Sequence, residues 1–272
     1  MKRSKLLLPL VFLVSLSACS SNVKLEELSI SGIYMSNYDI ANYISNYNNY
    51  MLNYSSENKS QWYSVDIKIY SKETNSNVTY EREGEYSGSF YVSRDEFYNK
   101  AKIDAKIIST KYDINTYETT TVKSKGTITF YEGFAYMYSK YEEKTENEKY
   151  VESTYEKEDL SFNEAISIVG IPSLEICDYF DMMQNPSGLY NVNTYSIGTN
   201  NGIAITQSYD GNLSQIYFDT LEDSYQMKEL KIYSSTYSYN SGTNKSVETK
   251  YAINIKTKLF GLITKPSNLN KY

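Results

Sequence analysis

The sequence predicts a mainly β protein of the α+β class, an antiparallel sheet under a helical cover. Three observations predict it. Apolar residues alternate with polar ones over long stretches, as Val65, Ile67 and Ile69 do with Asp66 and Lys68, the period of a half-buried strand. Tight-turn dipeptides punctuate these stretches: Glu132-Gly133, Asn201-Gly202 and Asp210-Gly211. Helical spacing of apolar residues recurs in two places, near 39–54 and 162–184.

The elements follow in order. Ser20 to about Asn37 is a mixed segment, with Lys24 to Ile30 either a short strand or part of a tether. Asp39 is an N-cap candidate for a helix ending near Tyr54. Ile40, Tyr43, Ile44, Tyr47, Met51 and Tyr54 share its apolar face. The period then changes to two. Tyr86, Phe90 and Val92 belong to a strand expected to bend at Gly84 or Gly88. Ser93 to Glu96 reads as a turn, and Ala101, Ile103, Ala105 and Ile107 alternate with Lys102, Asp104 and Lys106. Strands at 120–131 and 134–141 meet at Glu132-Gly133. A charged tip at 142–149 leads into a strand at 150–156.

The β pattern breaks at 160–185. Phe162, Ala165, Ile166 and Val169 mark one short helix. Leu174, Cys177, Phe180 and Met183 mark a second, and Pro172 interrupts the two. A meander closes the chain, with strands at 190–197, 203–209, 213–219, 225–239 and 247–259. In the last, Tyr251, Ile253, Ile255 and Leu259 face one way, and Asn254, Lys256 and Lys258 the other. Residues 263–272 form a Pro-containing tail.

Composition narrows the function. There is no histidine, which excludes Ser-His-Asp or Cys-His catalysis and His-ligated metal. Residues 1–18 hold three of the 27 basic and none of the 33 acidic residues, leaving 24 against 33, a charge of −9. That balance argues against nucleic acid and against a polybasic membrane patch. The 31 tyrosines suit strands and half-wet sheet faces; they would also serve as platforms for glycans.

Met1 to Ala18 has a basic start (Lys2, Arg3, Lys5), an apolar middle and small residues at its end. It reads as a signal peptide, too short for a spanning helix of ~20 apolar residues. Leu16-Ser17-Ala18-Cys19 resembles a bacterial lipobox. The resemblance implies cleavage before Cys19 and a membrane anchor of acyl chains on that residue, on the extracytoplasmic face of a cell membrane. With Cys19 lipidated, Cys177 has no intramolecular disulfide partner.

The element order and the ending Ile263-Thr264-Lys265-Pro266-Ser267-Asn268-Leu269 resemble the LolA/LolB and LppX/LprG-like lipoprotein superfamily. The resemblance implies a curved antiparallel half-open barrel with a helical lid and a cavity for acyl chains or lipidated cargo. Residues 1–18 would be the signal peptide, 19–37 the tether and lead-in, and 38–272 the β domain. Lid-face ligand contacts would come from Ile40, Ile44, Met51, Ile166, Val169, Leu174, Phe180 and Met183, residues that would otherwise complete an ordinary core.

Other chemistry is weaker. Cys177 lies on an apolar helix face, where a lone thiol is usually filler. Asp178 and Asp181 lack the further carboxylates of a cation site, and Glu142, Glu143, Glu146 and Glu148 alternate with lysines on a hairpin tip. Asp210-Gly211-Asn212 is a turn, and no phosphate loop is present. The expected protein is a non-enzymatic lipoprotein without cofactor or metal, binding a lipid or acyl chain. The alternatives are an adhesive module using exposed tyrosines to bind glycans or a partner protein, and a carboxylate-dependent hydrolase.

Overall fold

A computed structural model describes residues 23–54, 60–93, 95–171, 193–199, 201–221 and 226–272. The elements are β1 (Ile33–Tyr34), α1 (Asn37–Tyr54), β2 (Gln61–Thr74), β3 (Val78–Val92), β4 (Lys100–Asp113), β5 (Thr119–Tyr131), β6 (Phe134–Lys144), β7 (Lys149–Glu158), α2 (Phe162–Ser167), β8 (Asn193–Gly198), β9 (Gly202–Tyr209), β10 (Asn212–Thr220), β11 (Met227–Asn240) and β12 (Lys245–Lys258). The strands form one antiparallel sheet in the order β1-β8-β9-β10-β11-β12-β2-β3-β4-β5-β6-β7. The sheet is curved and half-open: β7 and β1 remain as edges. The edge at β7 is exposed and rich in Lys and Glu, which discourages pairing with other chains.

Register explains how one face becomes the core. Met137, Ile128, Ile103, Gly88, Val65, Ile255, Leu230, Phe218 and Ile203 stand opposite one another across nine strands. The next row carries Tyr86, Ile67, Ile253, Ile232, Ile216 and Ile205. Because side chains alternate, each strand of period two places its apolar set on this single face. Both helices lie on it. Tyr47 of α1 meets Phe218 edge-on at 5.6 Å, and Phe162 of α2 meets Phe130 at 5.5 Å and Phe90 at 6.4 Å. At the end of α2 the Tyr251 hydroxyl donates to the Gly170 carbonyl at 2.8 Å, and burial pushes that phenol's pKa up.

Both helices start on a reciprocal cap. Ser161 accepts from the Glu164 N–H at 3.2 Å while the Glu164 carboxylate accepts from the Ser161 N–H at 2.9 Å. At α1 the cap is Ser36, not Asp39. The Asp39 N–H donates to Ser36 Oγ at 3.3 Å and the Ser36 N–H to Asp39 Oδ2 at 3.0 Å. Asp39 is thus the third helical residue, and the Ser36 hydroxyl lowers its pKa. We expect Ser161→Ala to cost about 1 kcal/mol, measured by urea unfolding. An unchanged midpoint would show that this cap contributes nothing.

Several expectations are corrected by tertiary contact. The turn at 93–96 includes a 3-10 turn at Glu96–Tyr98. Leu259 lies beyond β12 and is fully exposed, so it does not share the core face of Ile253 and Ile255. Asp210-Gly211 and Glu132-Gly133 have positive φ at both residues, the tight hairpin turn expected. Gly202 instead opens β9. A Cβ there would lie 2.0 Å from the Phe218 carbonyl oxygen, so close backbone approach requires the glycine. Gly88 is the same case within β3, which runs through it unbroken. The second helix expected at 174–183, and Pro172 before it, lie outside the described residues.

Two segments, residues 28–33 and 263–272, cross the far face of the sheet. Leu28 crosses β10, its N–H donating to Gln215 Oε1 at 2.8 Å. Residues 24–30 therefore form no strand. The chain then pairs at β8 through Ile33 and Tyr34 and turns onto the helix face as α1. The tail runs the opposite way across the far face. Lys265 reaches Glu132 at 3.5 Å, and the Tyr272 ring stands edge-on to Tyr136 and Tyr155 at 5.5 and 5.4 Å.

Candidate functional site

The sheet presents two regions that could meet a ligand, one on each face. On the helix face, Ile40, Ile166 and Val169 are buried and Ile44 is half-buried, all in one cluster with Ile67, Phe90, Ile103 and Phe218. The expected lid residues of α1 and α2 are thus brought together over the apolar rows of the sheet. They are placed by the helical period of α1 and by the capping box that starts α2. Leu174, Phe180 and Met183 lie outside the described residues, as do Cys19, Cys177, Asp178, Asp181 and the side chain of Met51.

Beyond Ile69, Gly84 and Ile107 this face turns polar. A cavity of about 410 Å³ there is lined by Glu73, Tyr80, Arg82, Ser109, Lys111 and Val122, among others. On the same stretch of sheet the Tyr70 hydroxyl donates to Glu81 at 2.7 Å. That bond pushes the phenol up to about 12.

The far face holds a region that sequence reasoning missed. A cleft of about 610 Å³ lies between residues 28–33 and β10–β11, lined also by Tyr217, Asp219, Lys228 and Lys231. Asp219 and Glu229 stand directly opposite in register. Each is ion-paired: Asp219 to Lys228 at 3.0 Å, and Glu229 to Lys231 at 3.0 Å and Lys256 at 2.9 Å. Burial opposes the charge of Glu229, but hydrogen bonds from Lys256 and Lys231 outweigh it and hold its pKa below the usual range. A general acid for glycoside hydrolysis needs the reverse shift. The pair is built as an ion-pair network, and its only trace in sequence is the solvent-side alternation of β11.

Two of the hairpin-tip carboxylates are likewise engaged. Glu142 pairs with Lys149 at 3.2 Å, and Glu143 accepts from the Tyr141 hydroxyl at 2.7 Å. Among the described residues no group of three or more His, Cys, Asp or Glu is placed to hold a metal ion. No helix among them is long and apolar enough to cross a membrane.

Six of the exposed tyrosines, Tyr80, Tyr112, Tyr117, Tyr150, Tyr237 and Tyr239, sit at the end of the sheet that carries the β2–β3, β4–β5, β6–β7 and β11–β12 turns; Tyr34, Tyr38 and Tyr98 are exposed elsewhere.

No family model matches the chain, and no curated protein matches it. Solved structures show only weak similarity, as two of them illustrate. One is the translocator domain of the autotransporter NalP from Neisseria meningitidis, at 7% identity and a TM-score of 0.18, covering 80% of this chain and 97% of that one. The other is a porin-like protein from Bacteroides uniformis, at 10% identity and a TM-score of 0.15, covering 72% of this chain and 96% of that one. TM-scores this low do not mark a shared fold.

Proposed function

We propose that the mature chain is a lipoprotein, anchored in the membrane through acyl chains on Cys19, that holds an apolar ligand against the helix face of its sheet. The ligand class is a lipid or an acyl chain, and no catalysis is involved. The observation that carries this reading is a continuous apolar face, nine strands wide, with which Ile40, Ile44, Ile166 and Val169 converge in one cluster. An apolar space between a curved sheet and helices is a common setting for an apolar ligand.

The test is native mass spectrometry, with lipid extraction, of the mature chain carrying Cys19→Ser. A bound lipid released under denaturing conditions supports the carrier reading. It fails if no lipid is bound and apolar fluorescent probes do not bind. The anchor is tested separately. Cys19→Ser in the full chain is expected to move the protein from the membrane fraction to the soluble fraction, since two or more acyl chains hold stably and none remains. Fractionation like the wild type would overturn the anchor.

A second reading is favoured by the exposed tyrosines at the turn end, a surface suited to glycans or a partner protein. Glycan-array binding that is lost in Tyr80→Ala, Tyr117→Ala and Tyr239→Ala variants would support it.

A further inference from the structure

The end of the sheet opposite the tyrosine turns is different in kind. There β12 leaves the sheet at Lys258, and Leu259, Phe260 and Leu262 are 100%, 80% and 84% exposed. The residues between and after them point inward. A Cβ on Gly261 would meet the Trp62 ring at 2.4 Å, and Ile263 is 6% exposed. The strap is therefore pinned at Gly261 and Ile263 while three large apolar side chains are held out in water. Ile33 and Tyr34 of β1, and Phe97 and Tyr98 of the 3-10 turn, are exposed at this same end. Three of these seven side chains are aliphatic, two are phenylalanine rings and two are tyrosine rings with a polar tip, the mixture found where an apolar body meets a wet interface.

We infer that this end, centred on Leu259, Phe260 and Leu262, is a bilayer-contact surface that sets the domain upright on the membrane. The inference rests on the lipid anchor proposed for Cys19. Only residues 20–22 separate that cysteine from the first described residue, a reach of at most about 14 Å. From Cys19 to Leu28, where the chain is fixed to β10, the reach is at most about 32 Å. Residues 28–33 then run along the far face toward the apolar end, where Ile33 pairs with Gly198. Trp62 at that end lies three strands from β10, roughly 15 Å. So short a tether keeps the domain against the bilayer, and of the surfaces in reach this end has the chemistry of lipid. The basic and acidic side chains around it are mixed (Lys100, Lys258 and Lys265 beside Asp95, Glu96 and Glu132), so the contact is apolar rather than electrostatic. The tyrosine end then points away from the membrane.

Trp62 is the one tryptophan of the chain and lies under Gly261, so its emission reports on this contact. The experiment places the Cys19-anchored protein in phosphatidylcholine vesicles containing brominated lipid. The expected result is quenching of Trp62, reduced at least tenfold in the triple variant Leu259→Ser, Phe260→Ser, Leu262→Ser. Since all three side chains are exposed, the variant keeps its fold, checked by circular dichroism. Absence of quenching in the anchored wild type overturns the inference, and so does equal quenching in the triple variant. Concentration-dependent self-association without vesicles, abolished in the triple variant, would also overturn it by assigning the patch to a second copy of the chain. Mass spectrometry of Cys19 separates the two readings. If no acyl chain is found, the anchor has failed, and the patch is judged by binding of the Cys19→Ser mature chain to the same vesicles.

Discussion

Phe90→Ala is expected to destabilise the fold by about 3–5 kcal/mol, the range for truncating a buried phenylalanine. Phe90 is fully buried. Its ring stacks on Tyr63 at 5.0 Å and meets Phe162 of α2 at 6.4 Å. Phe162 in turn stands edge-on to Phe130 at 5.5 Å. A helix of six residues has too few internal hydrogen bonds to persist alone, so α2 depends on this aromatic contact and on its cap. The substitution should therefore act twice. Urea unfolding should show the global loss, and hydrogen exchange should rise at residues 162–170 before the sheet opens. Phe218→Ala, under α1, should carry a similar global cost without the local change at α2. A loss below about 1 kcal/mol for Phe90→Ala would mean that its ring lines a void rather than a packed core.

Gly88→Ala is the second large effect, with an expected cost of about 1–3 kcal/mol, the range for overpacking. The added Cβ would lie 2.2 Å from the Lys102 carbonyl oxygen and 2.8 Å from the Ile103 Cα. Both are backbone atoms of the neighbouring strand β4, so no side chain can swing away and the sheet itself must move. Gly84→Ala is the matched control. Its nearest neighbour is a ring carbon of Tyr86 at 3.2 Å, which has room to adjust, so its cost should be well below that of Gly88→Ala. Equal midpoints for the two variants in thermal unfolding would refute this account of where the sheet is tightest.

The same contrast shows how far the candidate site could be read in advance. Ile40, Ile44, Ile166 and Val169 were legible as one buried apolar set because a 3.6-residue period is local and survives in the chain as spacing. Ser36 was less legible than Asp39, since either residue type caps a helix and only the reciprocal bonds tell them apart. Leu259 extended the alternation of β12 by one more step, and nothing in the spacing marks where pairing stops. The far-face cleft was invisible, because Lys228, Lys231 and Asp219 meet residues 28–33 across about 190 positions of chain.

The sequence by itself determined the long strands but not β1, most of their turns, the polarity of each face and the helices at 37–54 and 162–167. These are written in nearest-neighbour chemistry: period two, period 3.6, and residues that accept positive φ. Only the tertiary structure decided that β12 inserts between β11 and β2, joining the two halves of the chain into one sheet. It alone decided that residues 28–33 and 263–272 cross the far face, and that Leu259, Phe260 and Leu262 collect at one end of the strands and six exposed tyrosines at the other. Such pairings gain their energy from burial between distant segments and carry no local signature. The polarity of the molecule, and with it the proposed bilayer-contact surface, therefore emerges only when the strands are set in register.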